Sequence, residues 1–238
     1  MVLGAVLAGG SGTRMSSGVP KQFLTVCGKP VLAHTLTPFY RCAEVEKTIV
    51  AVPEEWIAFT MELLRQNFAE PERFAVIAGG SDRTRSLLLA AEKAAELDPS
   101  ADAILVTHDG ARPLISPELI ARTVEAARQT GGATAAIPAV DTIAVSADGT
   151  TISQTPDRAS LWQIQTPQTF RLPLLRKTAA SLSDAERAAL TDACGIFAAR
   201  GLPVRLVLGE RSNLKLTMPD DLLLAEVLLS RPQSTKTD

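Results

Sequence analysis

The sequence predicts an α/β fold, a mostly parallel twisted sheet flanked by helices with a projecting β-hairpin arm, and three observations support it. Short apolar and β-branched runs alternate with longer amphipathic stretches. The 238 residues are 46% hydrophobic, 21% charged and only 4% aromatic, which is typical of a globular enzyme or binding protein. A chain of this length buries about 70% of its surface on folding, so its core needs no disulfides or metal.

The first half of the chain contains strands separated by helices. The predicted strands are Val2 to Ala8, Lys47 to Pro53, Phe74 to Ala78 and Ile104 to Thr107. The spacing of apolar residues predicts helices at Glu54 to Phe68, Asp82 to Leu97 and Pro117 to Thr130. Ser116 is a favourable N-cap for the last helix, and Gly131 is a favourable residue after its end. Strands and helices that alternate in this way form a parallel sheet.

The alternation breaks after Val140. Two extended runs, Thr142 to Ser146 and Thr150 to Thr155, flank Asp148-Gly149, a pair that favours a tight hairpin turn. We therefore predict a β-hairpin arm over about residues 139–158. Such an arm exposes unpaired strand edges, so it either pairs with a second copy of the chain or folds back on its own domain.

The C-terminal part of the sequence predicts three more helices and a strand. The helices are expected near Leu172 to Ala180, from the capping box Ser183-x-x-Glu186 to Gly201, and at about Pro219 to Leu229, and the strand at Val204 to Leu208. No linker or internal repeat interrupts the chain. We expect one domain over residues 1–230, followed by a disordered tail over residues 231–238.

The charge distribution suggests a local anion site. From Met1 to Ala43 there is no Asp or Glu, but Arg14, Lys21, Lys29 and Arg41 are present, whereas the whole chain has a net charge of -2. A nucleic-acid-binding protein would be basic over a whole face, so we expect no nucleic acid as a partner. An acid-free stretch of this length also arises by chance in an ordinary sequence.

Cysteines, histidines and hydropathy exclude several classes of protein. The three cysteines form no CxxC pair, and two histidines are too few for a multi-histidine metal site. The longest uncharged stretch, Met1 to Thr13, is too short to span a bilayer and lacks the features of a signal peptide. We therefore expect a cytoplasmic protein with no membrane partner, in which any metal is a hard ion held by carboxylate and substrate phosphates.

The first predicted strand leads into the glycine segment Ala8-Gly9-Gly10-Ser11-Gly12-Thr13-Arg14-Met15. Three glycines let backbone N–H groups approach an anion, and Arg14 and Lys21 add the charge that a polyphosphate requires. The segment is not a Walker loop, because Thr13-Arg14 follows Gly12, and it is not a dinucleotide fingerprint, because residue 15 is Met. For this segment alone, a plain turn remains an alternative.

Ordered motifs along the whole chain carry a resemblance to a known family. The glycine segment with Pro20-Lys21-Gln22-Phe23 resembles the signature of nucleotidyltransferases that join a nucleoside triphosphate to a sugar or polyol phosphate. The further motifs are Gly79-Gly80-Ser81-Asp82-Arg83, His108-Asp109-Gly110-Ala111-Arg112-Pro113, Asp141-Thr142, Arg158-x-x-Leu161-Trp162, Gln165-Thr166-Pro167-Gln168, Thr191-Asp192 and Ser212-Asn213-Leu214-Lys215-Leu216-Thr217. In that order they resemble the 2-C-methyl-D-erythritol 4-phosphate cytidylyltransferases, the IspD family, over residues 2–229. The resemblance implies a Rossmann-like nucleotidyltransferase fold.

The resemblance implies transfer of CMP from CTP to 2-C-methyl-D-erythritol 4-phosphate, in the non-mevalonate pathway to isoprenoid precursors. It also leaves an alternative acceptor, because Leu7-Ala8-Gly9-Gly10, Thr107 and Leu190-Thr191-Asp192-Ala193-Cys194-x-Ile196-Phe197 resemble the D-ribitol 5-phosphate cytidylyltransferases of wall-polymer synthesis. A regulatory protein that binds CTP without turnover is a more distant alternative, since Arg14, Lys21 and Lys215 are all present.

The resemblance also implies the residues of the site. The catalytic residues would be Arg14 and Lys21, on the β and γ phosphates, and Lys215, near the α phosphate. The nucleotide-binding residues would be Ala8, Gly9, Gly10, Gly12, Thr13, Gly79, Gly80, Asp82, Ser86, Asp109 and Gly110. The phosphate of the polyol would meet Arg112, Thr142, Arg158, Thr166, Thr191 and Lys215.

Asp109 follows a predicted strand, at the end where ligands bind in open α/β sheets. The resemblance assigns it to the ribose and to Mg²⁺ or another divalent cation, while an ion pair with Arg112 or a loop cap is the alternative. We expect His108 to be structural, and Arg83 and Arg85 to be solvated or capping. The resemblance further implies a homodimer in which the arm brings Arg158 into the neighbouring subunit's site, although Arg158 taken alone would be expected to be an exposed surface charge.

Overall fold

In the computed structural model, which describes residues 1–10 and 18–231, the main sheet has seven strands. They are β1 Val2–Leu7, β4 Lys47–Val52, β5 Phe74–Ala78, β6 Ile104–Asp109, β7 Gly132–Pro138, β8 Trp162–Arg171 and β9 Arg205–Leu208. Their order in the sheet is β5-β4-β1-β6-β8-β7-β9. Two further short strands, β2 Thr25–Val26 and β3 Lys29–Pro30, pair with each other.

The helices lie between the strands. They are α1 Val31–Arg41, α2 Ile57–Asn67, α3 Arg83–Leu97, α4 Pro117–Thr130, α5 Leu172–Ala180, α6 Asp184–Ala188, α7 Cys194–Ala198 and α8 Pro219–Leu229. Single 3₁₀ turns are formed by Lys21–Phe23, Glu54–Trp56, Pro71–Arg73 and Arg158–Ser160. Within the described ranges, every helix is too short or too polar to cross a bilayer.

The sheet is mostly parallel, as predicted. Strand β1 is parallel to both of its neighbours, β4 and β6, and β8 is the strand that runs antiparallel to its neighbours. The chain moves outward from β1 through β4 to β5 and then returns to the other side of β1 as β6. Crevices form where the order of strands reverses in this way, and here the crevice lies at the adjacent ends of β1 and β6, where Leu7 is level with Asp109.

The core lies on both faces of this sheet. Strand β1 is buried along its whole length, as a strand covered by helices on both sides must be. Val6 packs into the cluster that contains α1, α2 and α4, whereas Ala5 packs into the cluster that contains α3, α5 and α7. Successive residues of β1 thus pack on opposite faces of the sheet, and the two packed layers hold the ends of β1 and β6 in fixed positions.

Strands β7 and β8 belong to the sheet, although the sequence pattern did not predict them. Strand β7 is rich in Gly and Ala, and β8 is rich in Gln and Thr, so neither has the β-branched apolar run that signals a strand. The polar residues of β8 that face the core are hydrogen bonded, as in the Thr169 hydroxyl, which donates to Thr123 Oγ1 at 2.9 Å. Tertiary hydrogen bonds replace apolar burial in this strand.

The prediction of one helix from Ser183 to Gly201 is wrong. The capping box at Ser183 and Glu186 is present, and Gly201 has a positive φ of 64°, but helix α6 ends at Ala188 and α7 begins at Cys194. Between them, the Ala193 N–H donates to Gln168 Oε1 at 3.1 Å. The buried Gln168 side chain of β8 therefore binds a backbone N–H group that would hydrogen bond within a continuous helix.

The arm forms, but its two predicted strands reduce to one β-bridge, between Val145 and Gln154. Gly149 has the expected positive φ of 72°, yet the loop spans residues 146–153 and is no tight turn. Asp148 Oδ1 accepts hydrogen bonds from the Thr150 and Thr151 N–H groups, at 2.8 and 2.7 Å. Because residues 140–155 are exposed, hydrogen bonds from nearby backbone N–H groups to the Asp148 side chain form there in place of further strand pairing. The predicted tail lies outside the described residues, except Arg231.

Candidate active site

A cleft of about 360 Å³ lies at the ends of β1 and β6. It brings together segments from the beginning, the middle and the end of the chain. Its lining residues are Leu7, Ala8, Gly9, Gly10, Lys21, Gln22, Ser81, Asp82, Arg83, Ser86, Asp109, Gly110, Ala111 and Lys215. Most of the predicted nucleotide-binding residues and two of the predicted catalytic residues, both lysines, therefore meet in one place, while Gly12, Thr13 and Arg14 lie outside the described residues.

Asp109 is the centre of charge in this cleft. Its side chain is 9% exposed, and its Oδ1 accepts a hydrogen bond from Arg83 Nε at 3.0 Å. Its Oδ2 lies 2.9 Å from Lys215 Nζ and 3.5 Å from Arg112 Nε. Burial by itself would raise the pKa of this carboxyl, but the cations of Arg83, Lys215 and Arg112 outweigh burial and hold the pKa well below its usual range. Asp109 is therefore ionised at neutral pH.

Arg83 belongs to this site, so the prediction that it is solvated or capping is wrong. It is the first residue of α3, and the N-cap of that helix is Asp82. A cation at the positive N-terminal end of a helix is unfavourable unless an anion outside the helix compensates it. That local conflict was the signal in the sequence that Arg83 has a partner elsewhere, and the partner is Asp109.

A loop that begins at Gly79 and leads into the first turn of α3 borders the cleft, and Ser81, Asp82, Arg83 and Ser86 line it. The Ser86 hydroxyl donates to the Asp82 carbonyl at 2.8 Å and accepts from the Gly80 N–H at 3.0 Å, which closes the loop on itself. A Cβ atom on Gly79 would lie 3.7 Å from the Gly9 Cα. The loop thus packs directly against the glycine segment, and both contribute predicted nucleotide-binding residues to the cleft.

Gly110 shows why this edge of the sheet needs small residues. Its N–H donates to the Leu7 carbonyl at 2.8 Å, which draws the two strand ends together. A Cβ atom at Gly110 would lie 2.7 Å from the Ala8 Cβ, closer than real side chains approach. Only glycine allows Asp109 and Ala8 to sit this close.

Behind Asp109 lies a buried hydrogen-bonded layer. His108 Nε2 is 3.1 Å from the Arg112 carbonyl and its Nδ1 is 2.8 Å from Thr166 Oγ1, which also accepts from the Asp109 N–H at 3.2 Å. Burial lowers the pKa of His108 to about 4, so it is neutral at pH 7, as a structural histidine should be. Thr166 is buried too, and its hydroxyl is bonded within the protein.

The other predicted polyol-phosphate residues do not all meet in one place. Arg112 lies beside Asp109, and its Nη1 donates to the Asn213 carbonyl at 2.8 Å. Thr142 is exposed on the arm, and Arg158 lines a separate cleft of about 570 Å³ at the base of the arm, where its Nη1 donates to the Val140 carbonyl at 2.9 Å. Thr191 is exposed between α6 and α7. One chain therefore brings Arg112 and Lys215 together, but not Thr142 and Arg158.

The donor groups in the cleft suit a hard cation that takes most of its ligands from a substrate. The part of the chain that the structure describes contains no cluster of three or more His, Cys, Asp or Glu side chains that could enclose a metal. Asp109 supplies one carboxylate. Magnesium is often held by one or two carboxylates together with phosphates and water, so Asp109 fits it as a single protein ligand.

Comparison with known proteins shows one family. The model of IspD, described as 2-C-methyl-D-erythritol 4-phosphate cytidylyltransferase, matches residues 2–231. Among solved structures, the 4-diphosphocytidyl-2C-methyl-D-erythritol synthase of Anaerococcus prevotii is 27% identical with a TM-score of 0.80, over 97% of this chain and 96% of that chain.

Two further solved structures carry the same kind of name. The 2-C-methyl-D-erythritol 4-phosphate cytidylyltransferase of Thermus thermophilus is 31% identical with a TM-score of 0.72, over 96% of this chain and 98% of that chain. The enzyme of that name from Francisella tularensis is 26% identical with a TM-score of 0.78, over 95% of this chain and 98% of that chain. The similarity extends over essentially the full length of each protein.

Proposed function

This chain belongs to the 2-C-methyl-D-erythritol 4-phosphate cytidylyltransferase (IspD) family, and we propose that the cleft around Asp109 is its active site. The chain transfers CMP from CTP to 2-C-methyl-D-erythritol 4-phosphate, which gives 4-diphosphocytidyl-2-C-methyl-D-erythritol and pyrophosphate. The observation that carries the placement is the convergence of Lys21, Lys215 and Arg112 beside Ala8 to Gly10 at the ends of β1 and β6. The family match and the named structures favour this acceptor over D-ribitol 5-phosphate, and turnover over mere binding of CTP.

The chemistry requires cations more than it requires a base. A phosphate oxygen of the polyol phosphate attacks the α phosphorus of CTP, the bond from that phosphorus to the β-phosphate oxygen breaks, and pyrophosphate leaves. The attacking oxygen is already ionised, so no side chain has to remove its proton. Two polyanions must approach each other, and positioned positive charge lowers the barrier. We propose that Lys21, together with Arg14, binds the β and γ phosphates.

Lys215 is proposed to act at the α phosphate. Its Nζ lies 2.9 Å from Asp109 Oδ2, while Arg83 binds the other carboxylate oxygen. The carboxylate orients the lysine toward the cleft before substrate binds, which avoids the entropic cost of ordering a long side chain. When the triphosphate enters, its oxygens compete with Asp109 for the ammonium group. Lys215 then stabilises the negative charge on the α phosphate as the new bond forms.

A divalent cation, Mg²⁺, is proposed as the cofactor, with Asp109 as its protein ligand. When bound, it would supply positive charge that offsets the negative charge of the phosphates. Asp109 can take this role because its carboxyl, whose pKa is held low by Arg83, Lys215 and Arg112, is ionised, and a metal would replace one of these cations at an oxygen.

The nucleotide base is proposed to lie against the wall formed by Gly79 to Ser86. The bonds of Ser86 to Asp82 and Gly80 fix this loop, and Cβ atoms added to Gly9 and Gly79 would crowd Ser86 Oγ, at 3.3 and 3.2 Å. A fixed wall of backbone groups and small polar side chains suits the small edge of a pyrimidine. Asp109 and Gly110 would then contact the ribose, between the base and the phosphates.

A homodimer is proposed to complete the polyol-phosphate site. Thr142 and Arg158 lie on the arm, away from the Asp109 cleft of their own chain. Apolar side chains near the base of the arm and on the adjoining strands are exposed, and a large exposed apolar patch marks an interaction surface. They are Val140, Ile143, Val145, Ile152, Trp162, Ile164, Leu206 and Leu208. A second copy that covers this patch would receive Thr142 and Arg158 from the first.

The cellular location is proposed to be cytoplasmic. Cys27, Cys42 and Cys194 are all free thiols. Unpaired cysteines are typical of a reducing compartment.

The function is tested with purified protein, CTP, Mg²⁺ and either polyol phosphate, by following pyrophosphate release. We expect kcat/KM to favour 2-C-methyl-D-erythritol 4-phosphate by about tenfold or more, because a methyl group that fills an apolar pocket contributes that much. Reactions without an acceptor and with EDTA serve as controls. A preference for D-ribitol 5-phosphate would overturn the acceptor, and no pyrophosphate with either compound would overturn the catalytic function.

A further inference from the structure

Gln22 is a buried polar residue in the wall of the cleft whose role the reaction chemistry does not explain. It lies in the 3₁₀ turn Lys21–Phe23 and is 1% exposed. Its Nε2 donates to the Ala8 carbonyl at 2.6 Å and to the Gly10 carbonyl at 3.1 Å. Both partners are carbonyl oxygens, which only accept, so the NH₂ end of the amide must face them. One side chain therefore uses both of its donors on the glycine segment.

These two bonds act on the part of the backbone that would bind phosphate. Ala8 extends β1 through its N–H, which donates to the Ala51 carbonyl at 2.8 Å, whereas Gly10 is two residues beyond that anchor. A carbonyl oxygen carries partial negative charge and repels an anion, and an amide hydrogen bound to it reduces that charge. Gln22 thus fixes the direction of both carbonyls and leaves the intervening Gly9 between two restrained peptide groups.

The same side chain ties the glycine segment to the catalytic lysine. Lys21 precedes Gln22 in the turn, and the turn is anchored by the next residue, Phe23, whose ring stacks on Trp56 with centroids 4.2 Å apart. The Phe23 N–H also donates to the Pro20 carbonyl at 2.8 Å. The turn is therefore a rigid base, and the two bonds of Gln22 set the distance from that base to Gly9 and Gly10.

We propose that Gln22 is a positioning residue that holds the backbone of Gly9 and Gly10 and the Lys21 side chain in one arrangement for the triphosphate of CTP. It acts through those residues. The inference rests on the proposed function of the cleft, since it assigns a role within the same site. A misplacement of about 1 Å in a catalytic group costs about 10²-fold in rate, so a brace between two phosphate-binding elements has a measurable effect.

The test compares the wild type with Gln22→Met, which keeps the length and apolar volume but has no donor. We expect kcat/KM for CTP to fall about 10²-fold, while the KM for the polyol phosphate stays within about twofold. Calorimetry should show that CTP binding weakens more than CMP binding, because CMP lacks the phosphates proposed for Lys21. The kcat/KM for CTP should fall further in Gln22→Glu than in Gln22→Met, since an ionised carboxylate repels both carbonyls and the substrate.

Asn67→Leu is the matched control. Its side-chain amide donates to the Leu63 carbonyl at 2.8 Å, at the end of α2 and outside the cleft, so its loss should lower the melting temperature but leave the CTP kinetics unchanged. If Gln22→Met does not fold, Gln22→Asn replaces it, because the shorter amide should reach one carbonyl but not both. Its kcat/KM for CTP should fall about tenfold.

Two outcomes would overturn the proposal. A folded Gln22→Met or Gln22→Asn variant whose CTP binding and kcat/KM lie within about twofold of the wild type would overturn it. Equal losses for CTP and CMP would also overturn it, because they would indicate general damage to the cleft. A wild-type protein without turnover would refute the proposed function instead, and the CTP and CMP binding data would still decide the role of Gln22.

Discussion

At the scale of single residues, the site centres on one buried carboxylate, and the positive charge of its neighbours exceeds its negative charge. Asp109 faces Arg83, Lys215 and Arg112, so this group of side chains carries more positive than negative charge. An excess of cations is unfavourable in a folded core unless an anionic ligand uses it. The arrangement is therefore prepared for a polyanion, and its stability is limited by the same repulsion.

Replacement of Lys215 tests this role. We expect Lys215→Ala to lower kcat about 10²- to 10³-fold, because a charge contact made in the transition state is lost. The fold should persist, since Asp109 keeps Arg83 at 3.0 Å. Pyrophosphate release measures kcat, and circular dichroism measures folding. Lys93→Ala, which removes a surface lysine paired with Glu96, is the control and should be fully active; a kcat for Lys215→Ala within about tenfold of the wild type would contradict the assignment.

His108 gives the protein a predictable response to acid. Burial lowers its pKa to about 4, below the value of about 6.5 in an unfolded chain. Between these values the unfolded chain binds a proton that the folded chain does not, so the free energy of unfolding falls as the pH drops from about 6.5 to about 4, by roughly 3 kcal/mol. Urea unfolding at several pH values should show this loss in the wild type and a smaller one in His108→Gln. Identical pH dependence in both proteins would contradict it.

The sequence revealed the residues of the site better than it revealed their partners. Glycines at the end of a strand and Asp109 after another strand are local signals, and the structure brings them together as the parallel topology requires. The pair of Arg83 with Asp109 and the bonds of Gln22 depend on which loops meet at that edge. A motif of a few residues does not contain that information, since it arises only when the strand order is known.

At the scale of elements, local sequence signals predict the structure correctly where tertiary packing favours the same conformation. Helix α4 has the predicted bounds, with Ser116 accepting from the Leu119 N–H and Gly131 in the left-handed region. Strand β8 was missed because its register depends on antiparallel pairing with β6 and β7, and its polar residues find their partners only after that pairing. The division of the helix between Ser183 and Gly201 also follows from a contact with β8.

The end of α4 supplies a test at this scale. Gly131 has a φ of 84°, and a Cβ atom there would lie 3.0 Å from Leu174 Cδ2. Gly201 has a φ of 64°, and a Cβ atom added to it would have no neighbour within 4 Å. We expect Gly201→Ala to lower the free energy of unfolding by about 1 kcal/mol, from backbone strain alone, and Gly131→Ala by about 2 kcal/mol, from strain plus crowding. Urea unfolding measures both, and equal losses would show that α5 gives way to the new methyl group.

At the scale of the whole molecule, two features of a single copy support the proposed homodimer. Its arm is exposed and contains one β-bridge, and Arg158 lies at the base of the arm, in a separate cleft from Lys215. A two-fold dimer would account for both, because an isologous contact covers the same patch on each subunit and exchanges the arms reciprocally. Activity would then depend on protein concentration, through the fraction of chains that have a partner.

Mixed dimers test whether Arg158 works in the neighbouring site. We expect Arg158→Ala and Lys21→Ala to be nearly inactive by themselves, because each lacks a cation that meets substrate phosphate. After subunit exchange, half of the dimers are hybrids, and each hybrid has one cleft with Lys21 that receives an arm with Arg158. Activity should therefore return to about a quarter of the wild-type value.

Exchange has to be confirmed independently, by isolating hybrids through different tags on the two variants. If Arg158 acts in its own chain, the subunit with an intact cleft lacks the arginine and the subunit with the arginine lacks Lys21, so hybrids remain inactive. Confirmed hybrids without activity would thus contradict the shared site, and so would a protein that stays monomeric at the concentration at which it is fully active. Recovery has one explanation in this geometry: the acceptor phosphate is held by the cleft of one chain and the arm of the other.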